Sequence, residues 1–298
     1  TKMKNIFICV NIFSTLLSQK KEQIIFSKYN NVTKTGIQLL IDNNDKINFI
    51  VNKSKIKIKE KFHTKKWYLI EAGYDYKKGI FFISSKRYDD NKKISSIAKN
   101  KKFIKKNLNF NNNQDLYIAA KNSIDKINGF YNGKLDNLKF FIDDSISLSN
   151  KNKKIFIDFN FSKNISSNKI VDQSSNKLHG ILVNNPSRGV IGFNWKENSR
   201  SWKHNPDEYT SIHFHEDDLT DCKWQTDFKF KIPKNIVSGI YAVKLFNKKN
   251  EFYIPFCIKP KISSRNKILF LMPTSSYLAY ANNRIALDVP ETETVCAR

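Results

Sequence analysis

The stretch GFYNGKLDNLKFF (residues 129–141) closes the first of two β-rich blocks in a chain of 298 residues. Upstream of it, short runs of β-forming residues recur between polar turns: EQIIFSKY, GIQLLIDN, KINFIVN, KIKIKE, KWYLIEAGYD and GIFFISSKR. The turns are marked by Asn43-Asn44-Asp45, by Asn52 to Ser54 and by Lys77 to Gly79. Strands at such even spacing, with few helical patterns between them, predict a sandwich or jelly roll. The lysine-rich stretch from Asn91 to Leu108 is the exception and reads as a solvated basic loop or short helix. The N-terminal run from Met3 has the basic start of a secretory signal. Asn11 interrupts its apolar middle, however, and no small-residue cleavage site follows Leu17. The alternation Ile6, Ile8, Val10, Ile12 therefore reads as a first strand.

The order of motifs in this block resembles the closing half of a laminin-G or concanavalin-like jelly roll. A strand with Trp67 and Tyr68 is followed by DLYIAA from Asp115, and Gly133, Leu135, Asp136 and Leu138 then fill a final G-x-(I/L)-D-x-(I/L) pattern. The resemblance implies a scaffolding domain, of a kind that in other proteins binds carbohydrate or calcium. No cluster of carboxylates here has the form of a calcium loop.

A second block starts at KIFIDFNFS. Strands are expected at Tyr209 to His215, Trp224 to Ile232, Gly239 to Phe246 and Glu251 to Lys259, with a hairpin turn over Asn247 to Asn250. This block reads as a second β-sandwich. His213 and His215 fall on one face of their strand, because side chains repeat every second residue. With Glu216, Asp217 and Asp218 they form a pattern that can ligate zinc or iron, or that merely hydrogen-bonds at a join between domains.

Composition bounds the rest. A hydrophobic content of 40 % is enough to build real cores, and no apolar run reaches the roughly 20 residues of a membrane-spanning helix. The net charge of +25 raises nucleic acid as a partner. Lys, Asn, Ile and Phe, all with AT-rich codons, are abundant throughout, arginine is scarce and the lysines are scattered. No specific nucleic-acid partner and no membrane are expected. Cys9, Cys222, Cys257 and Cys296 form no CxxC pair, which favours a reducing, cytoplasmic setting.

Near the end, ILFLM (residues 268–272) reads as a strand that stops at Pro273 and delivers Ser275, Ser276, Tyr277 and Tyr280 to a site at its carboxyl end. LHGILVNNPSRGVIGFNW, HNPDEYTSIHFHEDDLTDCKWQTDFKFKIP, SGIYAVKL, YIPFCIKP and ILFLMPTSSYLAYAN, in this order, resemble the large (beta) subunit of the N,N-dimethylformamidase family. The resemblance implies an amide hydrolase that cleaves a small N-substituted formamide to amine and formate by metal-activated water. It implies a small-subunit partner, a homo-oligomer, and a ferric iron, Fe(III), held by two tyrosines and a glutamate. The first of those tyrosines matches Tyr277 or Tyr280, with Tyr280 preferred. Ser275 and Ser276 would hold the amide or orient the tyrosine.

The chain is thus expected to be mainly β. A jelly roll would cover residues 1–149 and a second β-sandwich residues 150–263. Residues 264–298 would begin an α/β catalytic domain cut short before the remaining ligands, leaving the chain inactive and poor at holding iron. The competing reading is a non-catalytic β-sandwich module that binds carbohydrate or a protein partner.

Overall fold

A computed structural model describes residues 5–104, 112–123, 126–143, 155–216, 225–261, 263 and 267–280. The chain forms two compact units, Thr1–Asp221 and Cys222–Arg298. The first begins with β1 (Asn5–Ser14), β2 (Gln23–Asn30), β3 (Thr35–Ile41), β4 (Ile47–Val51), β5 (Ser54–Lys57), β6 (Trp67–Asp75), β7 (Ile80–Tyr88) and β8 (Ile94–Phe103). Three short strands follow, β9 (Tyr117–Ile118), β10 (Lys121–Ser123) and β11 (Lys126–Asn128), and then the long β12 (Gly133–Asp143). The unit ends with β13 (Ile155–Asn160), β14 (Lys169–Asp172), β15 (Gly180–Ile181), β16 (Ser187–Val190) and β17 (Ser211–Phe214). The second unit contributes β18 (Gly239–Phe246), β19 (Glu251–Ile258) and a short helix, α1 (Thr274–Tyr280).

Two large antiparallel sheets and the small β10-β11 pair make the described part of the first unit. One runs in the order β15-β14-β13-β12-β1-β6-β7-β8, and the other in the order β5-β4-β3-β2-β9. The run expected to be a first strand is the central strand β1, apolar on both faces because it is covered on both. Its residues Ile6, Ile8, Val10 and Ile12 are buried in one core with Ile25, Leu39 and Phe49 of the other sheet. Aromatic pairs cross between the sheets: Phe26 lies 5.1 Å from Phe140, and Phe49 lies 5.1 Å from Phe81. A core shared by two sheets face to face defines a sandwich.

β12 carries the motif that closes the first block, and its apolar residues do not follow the period of a strand. Leu135 and Leu138 are both fully buried although three positions separate them. The register explains this. Cys9 of β1 faces Lys139 and Asn11 faces Asp136, so β12 has one residue more than β1 between these pairs. Asn137 lies in this bulge, exposed and with φ of +52°. The extra residue returns Leu138 to the core face after Asp136 has turned away from it.

The second edge of β12 is divided between two strands. Residues Lys139 to Phe141 pair with β13, and Gly133 to Asp136 pair with β17. Strands from either side of position 150 therefore lie in one sheet. The lysine-rich stretch expected as a loop or helix is instead the edge strand β8, paired along its length with β7. Of its inward positions Ala98 packs against the core, while Asn100 and Lys102 are polar: Asn100 Nδ2 and Lys102 Nζ bond the β5 carbonyls of Lys57 and Lys55. Polar tethers thus join the two open edges of the sandwich, where exposed lysines also discourage further strand addition.

In the second unit β18 and β19 form the expected hairpin, in register from Gly239 with Ile258 to Phe246 with Glu251. The Asn247 side chain organises its turn by accepting bonds from the Lys249 and Asn250 N–H groups, each 2.8 Å. Two other expectations are corrected. Residues 225–232 and 268–272 are not strands: neither pairs with a neighbour among the described residues, and an isolated run cannot satisfy its backbone groups by hydrophobicity alone. Trp224, Cys222, Cys296 and the residues after Tyr280 lie outside the described set.

Asn is tolerated at φ above 0, whereas a β-branched residue is not. Asn137→Val is expected to lower the unfolding free energy by about 1–2 kcal/mol, and Asn137→Gly to leave it nearly unchanged. Urea denaturation of the two variants measures this; equal stability of both would refute the bulge argument.

Candidate functional site

Ser275, Ser276, Tyr277 and Tyr280 are brought together on α1, not at the end of a strand. Pro273 fixes the entry, and its carbonyl accepts the Tyr277 N–H at 3.2 Å. Tyr277 and Tyr280, three positions apart, share a helix face, as do Ser276 and Tyr280 at four. Ser275, Ser276 and Tyr277 are exposed, Tyr277 at 60 %, while the Tyr280 side chain is outside the described set. Among the described residues no three or more His, Cys, Asp or Glu side chains gather where a metal could be held. An exposed phenol with no converging carboxylate does not fit a complete ferric site, because Fe(III) needs several hard oxygen donors at once. The residues present can supply one edge of such a site.

The histidine pair sits elsewhere, in the first unit. His213 is on β17 and His215 follows it, with ring centroids 5.4 Å apart. His213 Nε2 lies 3.5 Å from the Thr15 hydroxyl and His215 Nε2 lies 3.4 Å from the Ser187 hydroxyl. Glu216 turns away from them: its Oε1 accepts Asn132 Nδ2 at 3.3 Å and lies 3.8 Å from Lys21 Nζ, while its N–H donates to Asn132 Oδ1 at 2.9 Å. Asp217 and Asp218 lie outside the described residues.

The strongest polar constructions were not apparent as site residues in the sequence. Arg188, on β16, points its guanidinium into the turn over residues 161–169 and donates to five backbone carbonyls. Nη1 reaches those of Asn164 at 2.8 Å, Ser167 at 2.9 Å and Lys169 at 3.2 Å, and Nη2 reaches Phe161 at 2.7 Å and Lys163 at 2.9 Å. Burial draws its pKa below the ordinary value, yet an arginine remains a cation, and the carbonyl dipoles converge on that charge. Gly189 beside it has φ of +66°, and a Cβ there would lie 2.8 Å from Trp202 Cδ1, so glycine is needed for Trp202 to pack.

The loop from Val190 to Thr210 is fastened next to this point. Gly192 N–H donates to the Glu208 carbonyl at 2.9 Å, and the buried Glu208 carboxylate accepts Lys196 N–H at 3.1 Å and Asn198 Nδ2 at 2.5 Å. Phe193 packs against Trp67 and Tyr88, with ring centroids at 5.8 and 4.7 Å. The loop is thereby tied to the face of the first sheet.

Comparison with known proteins places this loop at the start of a recognisable region. Residues 187–287 match the family described as N,N-dimethylformamidase beta subunit-like, C-terminal. Over 122 residues the chain is 42 % identical to the N,N-dimethylformamidase beta subunit of an Alcaligenes species and 43 % identical to that of Paracoccus aminophilus. Each match covers 41 % of this chain and 16 % of the relative, so the chain spans about a sixth of the length of these curated relatives. The family resemblance read from the sequence holds over this region. A candidate carbohydrate-binding protein from Bacteroides ovatus is similar over 61 % of this chain and 53 % of its own at 12 % identity, with a TM-score of 0.44, too low to bear on fold or function.

Replacing Arg188 removes a charged donor from five carbonyls at once. Arg188→Ala is expected to cost roughly 2–4 kcal/mol, and Arg188→Lys, with the charge but not the planar fork, to recover only part of it. Chemical denaturation checks this; a cost of Arg188→Ala below about 0.5 kcal/mol would mean that water replaces the clasp without loss.

Proposed function

We propose that the chain is part of an amide hydrolase of the N,N-dimethylformamidase type, acting on a small N-substituted formamide. The carrying observation is the match at residues 187–287, with 42–43 % identity to two beta subunits of that enzyme. In such a hydrolysis water adds to the formyl carbon, the C–N bond breaks, and the nitrogen leaves as amine with a proton while the acyl part leaves as formate. The sandwich of the first unit acts as scaffold, and α1 presents the reactive groups.

On this reading Tyr277 or Tyr280 contributes one phenolate oxygen to an iron whose other ligands are not among the described residues. Ser275 and Ser276, in the first turn of the same helix, orient that phenol or donate to the amide oxygen. The further expectations, a small-subunit partner, a homo-oligomer and a cytoplasmic setting, belong to the same proposal. No helix among the described residues is long and apolar enough to cross a membrane.

Titrating the 298-residue chain with Fe(III) tests the ligand assignment. Weak binding is expected, with visible absorption from phenolate-to-iron charge transfer that one of Tyr277→Phe and Tyr280→Phe abolishes and the other leaves. Absorption unchanged in both variants would overturn the assignment. Tight stoichiometric iron together with formamide turnover would instead overturn the idea that this chain holds only part of the site.

A further inference from the structure

Among the buried aspartates, Asp172 and Asp136 have surroundings that differ in a way the proposed hydrolysis does not use. Asp172 is fully buried and accepts four hydrogen bonds spread over both carboxylate oxygens. Asp158 N–H at 2.8 Å and Ser174 N–H at 2.9 Å reach Oδ1, while Ser174 Oγ and Leu178 N–H, both at 2.8 Å, reach Oδ2. Burial pushes its pKa up, but these donors outweigh burial and hold it below the ordinary carboxylate value. Asp136 is 3 % exposed, and its two long-range bonds both fall on Oδ2, from Phe193 N–H at 2.7 Å and Thr210 Oγ1 at 2.9 Å.

The Thr210 hydroxyl also lies 3.1 Å from Asn194 Oδ1. The orientation of that amide is set, because Asn194 Nδ2 donates to the Asp207 carbonyl. Three oxygens, Asp136 Oδ2, Thr210 Oγ1 and Asn194 Oδ1, therefore stand in a row. With Asp136 ionised, the row contains one proton, that of Thr210, which cannot serve both neighbours. One more proton, on Asp136, completes it: Asp136 donates to Thr210, and Thr210 donates to Asn194. Gly192 keeps the row tight, since a Cβ there would lie 2.0 Å from Thr210 Oγ1 and 2.8 Å from Asp136 Oδ2.

We propose that Asp136, Thr210 and Asn194 form a proton-operated latch that docks the loop from Gly192 to Thr210 onto β12 with a proton held at Asp136, and loosens it when that proton leaves. The loop lies in the region shared with the dimethylformamidase relatives, so the latch would make that region sensitive to pH. The latch does not depend on the hydrolase assignment.

The groups that flank Asp136 among the described residues are these. Asn11 of β1 and Ser211 of β17 stand opposite it and do not ionise in this range. Lys134 on its own strand is drawn below its ordinary pKa by burial, and in the strand register His213 of β17 stands opposite Lys134. On the loop, Asp207 meets the latch through its carbonyl, and hydrogen bonds from Lys196 and Asn198 outweigh burial to hold Glu208 below its ordinary value. Burial pushes the Asp136 carboxyl up to about 6, against the bonds from Phe193 and Thr210. Its folded pKa lies above the unfolded one, so its contribution is complete below about pH 4 and is lost as pH rises through 6. Docking of the loop therefore weakens as pH rises through 6.

Carboxyl titration of the whole chain by carbon-13 NMR tests the latch. One aspartate with a midpoint near pH 6 is expected, absent in Asp136→Asn. In Asn194→Ala the Thr210 proton is free to serve the ionised Asp136, so the midpoint should move down by about one unit, or tenfold in proton affinity. Protection of the Phe193 amide against hydrogen exchange, corrected for intrinsic rate, should fall by at least tenfold between pH 5 and pH 7.5, and not in Asp136→Asn. An Asp136 midpoint in the ordinary carboxylate range, a midpoint unmoved by Asn194→Ala, or Phe193 protection with no dependence on Asp136 would each overturn the proposal.

Discussion

A β-strand offers one side chain to the core for every one it offers to the other face, and β12 must place two leucines three positions apart into the same core. The bulge at Asn137 resolves that conflict, and much of the first unit depends on it. With the extra residue, Leu135 and Leu138 both seal the sandwich against β1, while Asp136 is turned to the opposite face. The bulge also separates the part of β12 that pairs with β17 from the part that pairs with β13. One inserted residue thereby lets strands from both halves of the chain join a single sheet.

On the face away from the core, the consequence is chemical. Asp136 and the aromatic surface of Trp67 and Tyr88 receive the loop that carries Phe193, so the loop is fastened by one buried carboxyl and one ring. Asp172 shows that hydrogen-bond donors can outweigh burial at a carboxyl in this fold, whereas at Asp136 burial outweighs them.

Strands whose alternation served a buried core were legible in the sequence, from β1 to β7, and the β18–β19 hairpin was legible from its turn. β8 was not, because only the small Ala98 of its inward positions meets the core, while Asn100 and Lys102 meet the polar edge of β5. The run at residues 268–272 had the opposite fault: it is apolar enough for a strand, but hydrophobicity does not provide hydrogen-bonding neighbours. For the candidate site, the residues of α1 were singled out from the apolar run that ends at Pro273, though as the end of a strand rather than as a helix, and their role as ligands came only from family resemblance. Arg188 was illegible for a deeper reason. Its partners are carbonyl oxygens, which every residue possesses.

That same property has a consequence for how the turn over residues 161–169 can vary. A guanidinium that grips only main chain is indifferent to the side chains it passes, so the exposed positions of the turn, such as Lys163, Ser166 and Ser167, are free to vary while its backbone path is kept. The constraints on the gripped segment are its own buried Phe161, Ser162 and Ile165 and the arginine that grips it. The shape of the turn is in effect stored outside the turn, at a position some twenty residues downstream.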